Sequence, residues 1–153
     1  IFYKMENVLI SSCLTGAPCR YNATGCITDK LQLLLNNFNL VAACAECMAG
    51  LPTPRTPSER VGSRVLMKTG EDVTEEFNRG ADRVVQFAKS TNCKFAILKE
   101  KSPSCGSHKV YDGSFTGKVI DGQGVLAEKL RQNGIECYSE DDIDEVLRKY
   151  KKL

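Results

Sequence analysis

The chain has 153 residues with 21 basic and 19 acidic side chains, a net charge of +2. That is length for one domain with a real core, and too little charge bias to point to nucleic acid or a membrane surface. No apolar run approaches the roughly 18 residues of a spanning helix, and eight cysteines, about 5 % of the chain, fall below the roughly 8–10 % that marks a disulfide scaffold.

Ile1–Lys4 is too short for a signal peptide and reads as a remnant ahead of a native start at Met5. A cytoplasmic location is therefore expected, and a reducing compartment argues against structural disulfides. The cysteines are then small buried hydrophobes, or ligands and nucleophiles. Cys26, Cys93 and Cys137, in loop, helix-end and strand contexts, are expected to be inert.

In chain order, Val8–Ile10 reads as a buried strand, short and continuously apolar. It runs into Ser11–Asn22, rich in turn formers, a loop suited to presenting backbone N–H groups to a ligand. Thr28 and Asp29 are placed to cap a helix over Lys30–Asn37, with Leu31, Leu34, Leu35 and Phe38 as its core stripe. Leu40–Ala43 is the second strand, followed by Cys44–Cys47 and then Gly50–Pro57, where three prolines in six residues make a stiff ordered loop. Arg64–Lys68 is read as a short edge strand turned by Thr69–Gly70. Asp72 with Glu75 forms an expected capping box for a long helix to about Ser90, whose apolar face is Phe77, Ala81, Val84, Val85 and Ala88. The third strand is Phe95–Leu98, opening into Lys99–Gly106. Tyr111–Lys118 is a glycine-punctuated loop. A helix over Val125–Gln132 stops at Asn133–Gly134. Ile135–Tyr138 is the fourth strand, and Ser139–Asp142 caps the last helix, Ile143–Lys149.

Strands alternating with helices predict parallel βαβ units, hence an α/β, single-domain, Rossmann-like three-layer fold with a mainly parallel sheet over 1–153. Gly113 and Gly117 do not make the dinucleotide fingerprint. If strands one to three are neighbours, Cys13, Cys44 and Cys105 meet at their carboxyl ends, where open α/β sheets bind ligands. Three converging thiolates suit zinc or an iron–sulfur cluster. With three protein ligands, a four-iron cluster keeps one iron open, and soft sulfur suits it. Cys44-x-x-Cys47 also permits a dithiol redox pair. Glu46, two residues past Cys44, is a candidate general acid/base with a pKa set by burial. Ser102 and Ser104 flank Pro103 and either orient a substrate or cap a turn. Arg20, Arg55, Lys101 and Lys118 are loop cations that can face the same cleft.

Four stretches in order, ISSCLTGAPCRYN at 10–22, CAE at 44–46 running on to GLPTPR at 50–55, KEKSPSCG at 99–106 and YDGSFTG at 111–117, resemble the bacterial thiouracil desulfidase family from about Met5 to Gly134. The resemblance implies a [4Fe-4S] cluster on Cys13, Cys44 and Cys105 with one open iron. It also implies non-redox removal of sulfur from a small thiolated base, 2-thiouracil giving uracil and hydrogen sulfide, with sulfur captured by that iron. Glu46 and Ser102 become the expected catalytic residues, and Ser104, Arg20 and Lys101 the expected substrate contacts. Cys19 and Cys47 fall where the family pattern requires no cysteine, and Ala45, Asn22 and Ala23 replace its usual Pro, Asp and Gly. No nucleic acid or membrane partner is expected, and the oligomeric state is left open. The competing reading is an iron–sulfur or zinc sensor module without turnover.

Overall fold

The short apolar runs pair as strands. Those at Val8–Ile10 and Phe95–Leu98 lie at the centre of the sheet and bury both faces between helices, whereas the edge strand at Asn39–Ala43 stays partly exposed. The computed structural model describes residues 5–150, so the remnant expected over 1–4 lies outside the described residues. In chain order, β1 (Asn7–Ser11) runs into a 3-10 turn (Ser12–Thr15), then come α1 (Leu31–Asn37), β2 (Asn39–Ala43) and the single turn α2 (Ala45–Met48). β3 (Ser58–Val61), β4 (Arg64–Met67), α3 (Thr74–Ser90) and β5 (Cys93–Leu98) follow. The chain ends with β6 (Lys109–Tyr111), β7 (Val119–Asp121), α4 (Val125–Gln132), β8 (Glu136–Ser139) and, after a second 3-10 turn, α5 (Ile143–Tyr150).

The main sheet is fully parallel in the order β2-β1-β5-β8. The order reverses between β1 and β5, and that switch point is where open α/β sheets place a ligand. Alternation along the strands divides the core. Leu9, Ala96 and Leu98 pack under α3 and α4, against Phe77, Val84 and Leu126. Val8, Ile10, Phe95 and Ile97 face α1 and α5, against Leu34, Phe38 and Ile143. Helices therefore cover both faces of the sheet, the three layers expected. Among the described residues no helix is long and apolar enough to cross a membrane.

Three local expectations are corrected. Leu34 and Phe38 are buried, but Leu35 is 47 % exposed, because the seven-residue α1 touches the sheet along one i, i+4 line. No capping box opens α3; Asp72 instead accepts from the Thr74 N–H and hydroxyl and pairs with Arg64. Arg64–Met67 is no edge of the main sheet, since it pairs antiparallel with β3 in a separate ribbon. The expected loop at Tyr111–Lys118 is present, as the tip of a second ribbon, β6–β7. The box at Ser139–Asp142 does form.

Candidate active site

The carboxyl ends of β1, β2 and β5, the open end of the β3–β4 ribbon and the tip of the β6–β7 ribbon enclose one cavity of about 470 Å³. Cys13 enters it from the 3-10 turn after β1, Cys44 from the position just before α2, and Cys105 from the loop after β5. Cys13 and Cys105 are 7 % and 8 % exposed. Each thiol is displaced upward mainly by burial, Cys13 and Cys105 to about 12. Cys44 is raised by burial and by the neighbouring Cys105, Cys19 and Cys47 thiols. Lys99 and Arg20 act in the opposite direction on Cys13.

Packing fixes each corner. The first free N–H groups of α4 need acceptors outside the helix: Val125 N–H donates to the Pro103 carbonyl, and Leu126 N–H to that of Ser104 at 2.9 Å. A β-carbon on Gly124 would stand 2.3 Å from the Ser104 carbonyl, so only glycine lets α4 come this close to the Cys105 loop. The Ser102 hydroxyl oxygen closes that loop by accepting from Ser104 N–H (3.2 Å) and Cys105 N–H (3.1 Å). On the Cys44 side, α2 lies so close to α3 that a β-carbon on Gly80 would be 2.0 Å from the Ala45 carbonyl oxygen. Arg79 and Arg83 of α3 donate to the carbonyls of Ala49 and Met48 at the far end of that turn.

Glu46, in α2, lines the same cavity. Burial raises its pKa, against the opposing pull of Arg55 and Ser104. Arg55 Nε donates to Glu46 Oε1 at 3.1 Å, and the Arg55 side chain is 3 % exposed. Its Nη2 donates to the Cys19 carbonyl (2.9 Å) and its Nη1 to Thr53 Oγ1 (3.0 Å). One guanidinium thus ties the proline-rich loop, the loop after β1 and the half-buried carboxylate together. Arg55 appears in the sequence only as one loop cation among several; nothing in the spacing reveals that Glu46 is its partner.

The structure brings Cys13, Cys44, Cys105, Glu46, Ser102, Lys101 and Arg20 around the cavity, but not Ser104 or Lys118. Ser104 is 2 % exposed. Its hydroxyl has no hydrogen-bond partner and sits close enough to Glu46 to favour the charged carboxylate. With α4 packed on its backbone, Ser104, expected as a substrate contact, lies behind Glu46 and off the cavity lining. Cys19, Lys99 and Glu59 line the cavity without having been singled out as site residues. Glu59 Oε1 accepts from Gly113 N–H (3.0 Å) and Phe115 N–H (3.1 Å), holding the tip of the β6–β7 ribbon over the cavity.

Among the described residues no three His, Cys, Asp or Glu side chains close on one point as ligands of a single ion do. The Cys13, Cys44 and Cys105 thiols instead face a shared cavity from three strand ends, the arrangement suited to ligands that each bind a different iron of a cluster. All eight cysteines are free thiols. Buried thiols that resist ionisation on their own are the donors whose protons a bound cation must displace. The donor set fits an iron–sulfur cluster.

A family model described as 2-thiouracil desulfurase matches residues 8–142. Among solved structures, the chain is similar to the [4Fe-4S]-dependent thiouracil desulfidase TudS, with 41 % identity and a TM-score of 0.86 over 92 % of this chain and 94 % of that one. The uncharacterized protein YbbK of Bacillus subtilis (strain 168) is 40 % identical, matching 92 % of this chain and 99 % of its own length.

Proposed function

The chain belongs to the 2-thiouracil desulfurase family, and from that premise we propose that it is a [4Fe-4S]-dependent desulfidase, one domain converting 2-thiouracil and water to uracil and hydrogen sulfide. The observation that carries this reading is the meeting of three strand-end thiols with a half-buried carboxylate in one cavity. Cys13, Cys44 and Cys105 would hold the cluster by three irons, leaving a fourth to supply a Lewis acid for the thiocarbonyl sulfur.

The chain's own residues manage the water and the protons. Glu46 is the proton carrier: as a carboxylate it takes a proton from the water that attacks the sulfur-bearing carbon, and as the acid it returns one to the departing sulfur. Its raised pKa suits both roles, because a carboxyl far below the working pH is a poor base and a worse acid. Arg55 Nε positions one oxygen of that carboxylate, with Ser104 beside it. Ser102 accepts from two N–H groups, so its own hydrogen is left to donate toward the substrate or the Cys105 sulfur. Arg20 and Lys101 stand on the cavity lining as substrate contacts. Water replaces sulfur on carbon, and no net electron transfer is needed.

Anaerobic reconstitution of the full chain, followed by 2-thiouracil absorbance and sulfide release, tests the reading. Equal amounts of uracil and sulfide are expected. A fully clustered chain that desulfurises no thiolated base contradicts the proposal and favours the sensor alternative.

A further inference from the structure

The three cysteines proposed as ligands are set back from solvent. Cys13 and Cys105 are nearly enclosed, and Cys44 is half-buried. Two further thiols close the gap to solvent: Cys19 is half-buried and Cys47 is exposed. Cys19 and Cys44 line the cavity together, their side chains close enough to influence each other's ionisation. The Cys47 sulfur sits 3.9 Å from the Cys19 carbonyl oxygen. The three sulfurs thus grade from surface to interior along one path.

A second cavity of about 510 Å³ follows that path. It is lined by Cys47, Met48 and Phe87, and it meets the first cavity at Ser12, Cys19, Ala43 and Cys44. The first cavity is rimmed by charged side chains of both signs, including Arg20, Glu59, Lys68 and Lys101. The second carries none among its lining residues. The mechanism above uses neither Cys19, Cys47 nor this cleft.

Resting on the cluster reading of Cys13, Cys44 and Cys105, we infer that Cys47 and Cys19 are the loading thiols of this protein: they receive a thiolate-ligated iron–sulfur cluster at the second cavity and pass it inward to Cys44. Each transfer is a ligand exchange. One sulfur–iron bond forms to the incoming cysteine, one breaks to the departing thiolate, and the cysteine's proton leaves on that thiolate. No electrons move. Exchange starts only at a sulfur the donor can touch, and Cys47 is the exposed thiol on the path. Once the cluster reaches the three strand ends, Cys47 and Cys19 are free again, which separates them from permanent ligands.

The test is loading kinetics, read without any turnover assay. Cluster-free full-length chain is mixed anaerobically with a synthetic four-iron cluster ligated by a small alkylthiolate, and bound iron and visible absorbance are followed in time. Wild type, Cys47→Ser, Cys19→Ser and a Cys93→Ser control are compared. Loading of Cys47→Ser and Cys19→Ser is expected to slow on the order of tenfold as the accessible thiolate is lost, with final iron per chain equal to wild type and Cys93→Ser unaffected. Wild-type rates in both variants overturn the inference while leaving the cluster reading intact. A final iron content below wild type overturns it too, by making these cysteines resident ligands. Wild type that takes up no cluster removes the cluster reading and the inference together.

Discussion

The cavity has two unlike walls. One is made by the carboxyl ends of β1, β2 and β5 and carries Cys13, Cys44, Cys105, Glu46 and Ser102; the other is made by the two antiparallel ribbons and carries Glu59, Lys68, Tyr111 and Phe115. The first is fastened to the buried core through close backbone packing at Gly80 and Gly124 and the hydrogen bonds that α4 donates to the Cys105 loop. On the second, a single carboxylate oxygen of Glu59 holds the Gly113–Phe115 tip. Reactive groups must be held to a fraction of an ångström, and a rigid sheet end does that better than a ribbon. On the proposed function, the comparison teaches a division of labour: chemistry on the strand ends, enclosure of the substrate on the ribbons.

The largest effects should fall on the first wall. Cys13→Ala, Cys44→Ala and Cys105→Ala are each expected to abolish the visible chromophore and bound iron after reconstitution; retention of the full cluster in any of them would break the division there. Gly80→Ala comes next. A β-carbon 2.0 Å from the Ala45 oxygen must push α2 off α3, costing about 1–3 kcal/mol as overpacking does. A thermal midpoint unchanged from wild type would contradict it. On the second wall, Glu59→Ala strips the acceptor from two N–H groups, a cost of about 1–3 kcal/mol where they are shielded from water. The Michaelis constant for 2-thiouracil should rise while iron per chain stays at the wild-type value; loss of iron would show that the walls are not separable.

The smallest effect is a pH dependence at the root of the ribbon wall. The Thr74 hydroxyl and N–H, with Arg64, hold Asp72 down to about 2. A depressed carboxyl pKa adds stability above the ordinary value of about 3.9, which is lost as pH falls through the folded value. Asp72→Asn should therefore lower the thermal midpoint at neutral pH, and the gap to wild type should close between pH 4 and 2. A gap that persists at pH 2 would assign it to shape and not to charge.

Legibility in the sequence follows the same division. Val8–Ile10 and Phe95–Leu98 are readable because strands covered on both faces are continuously apolar. Leu40–Ala43 is apolar too, although it is a partly exposed edge, and the cysteines that follow the three inherit a position in space from the strand order. Ser58–Val61, Lys109–Tyr111 and Val119–Asp121 are three or four residues long and carry charges, so they leave no periodic trace against their loops. The Arg55–Glu46 pair is invisible for another reason: nine residues of proline-rich chain separate the partners, and no repeat geometry relates them. Ser102 and Ser104 differ only in which side of one turn they face. That is set by the packing of α4, a contact made from twenty residues further along the chain.

The most direct test of the central claim is Glu46→Gln beside wild type, each reconstituted anaerobically, with iron per chain and 2-thiouracil turnover measured on the same samples. About four irons per chain are expected in both, with turnover lower by roughly 10²–10⁴-fold in the variant, the range for loss of a positioned proton carrier. A clustered Glu46→Gln chain that turns over at the wild-type rate would contradict the account.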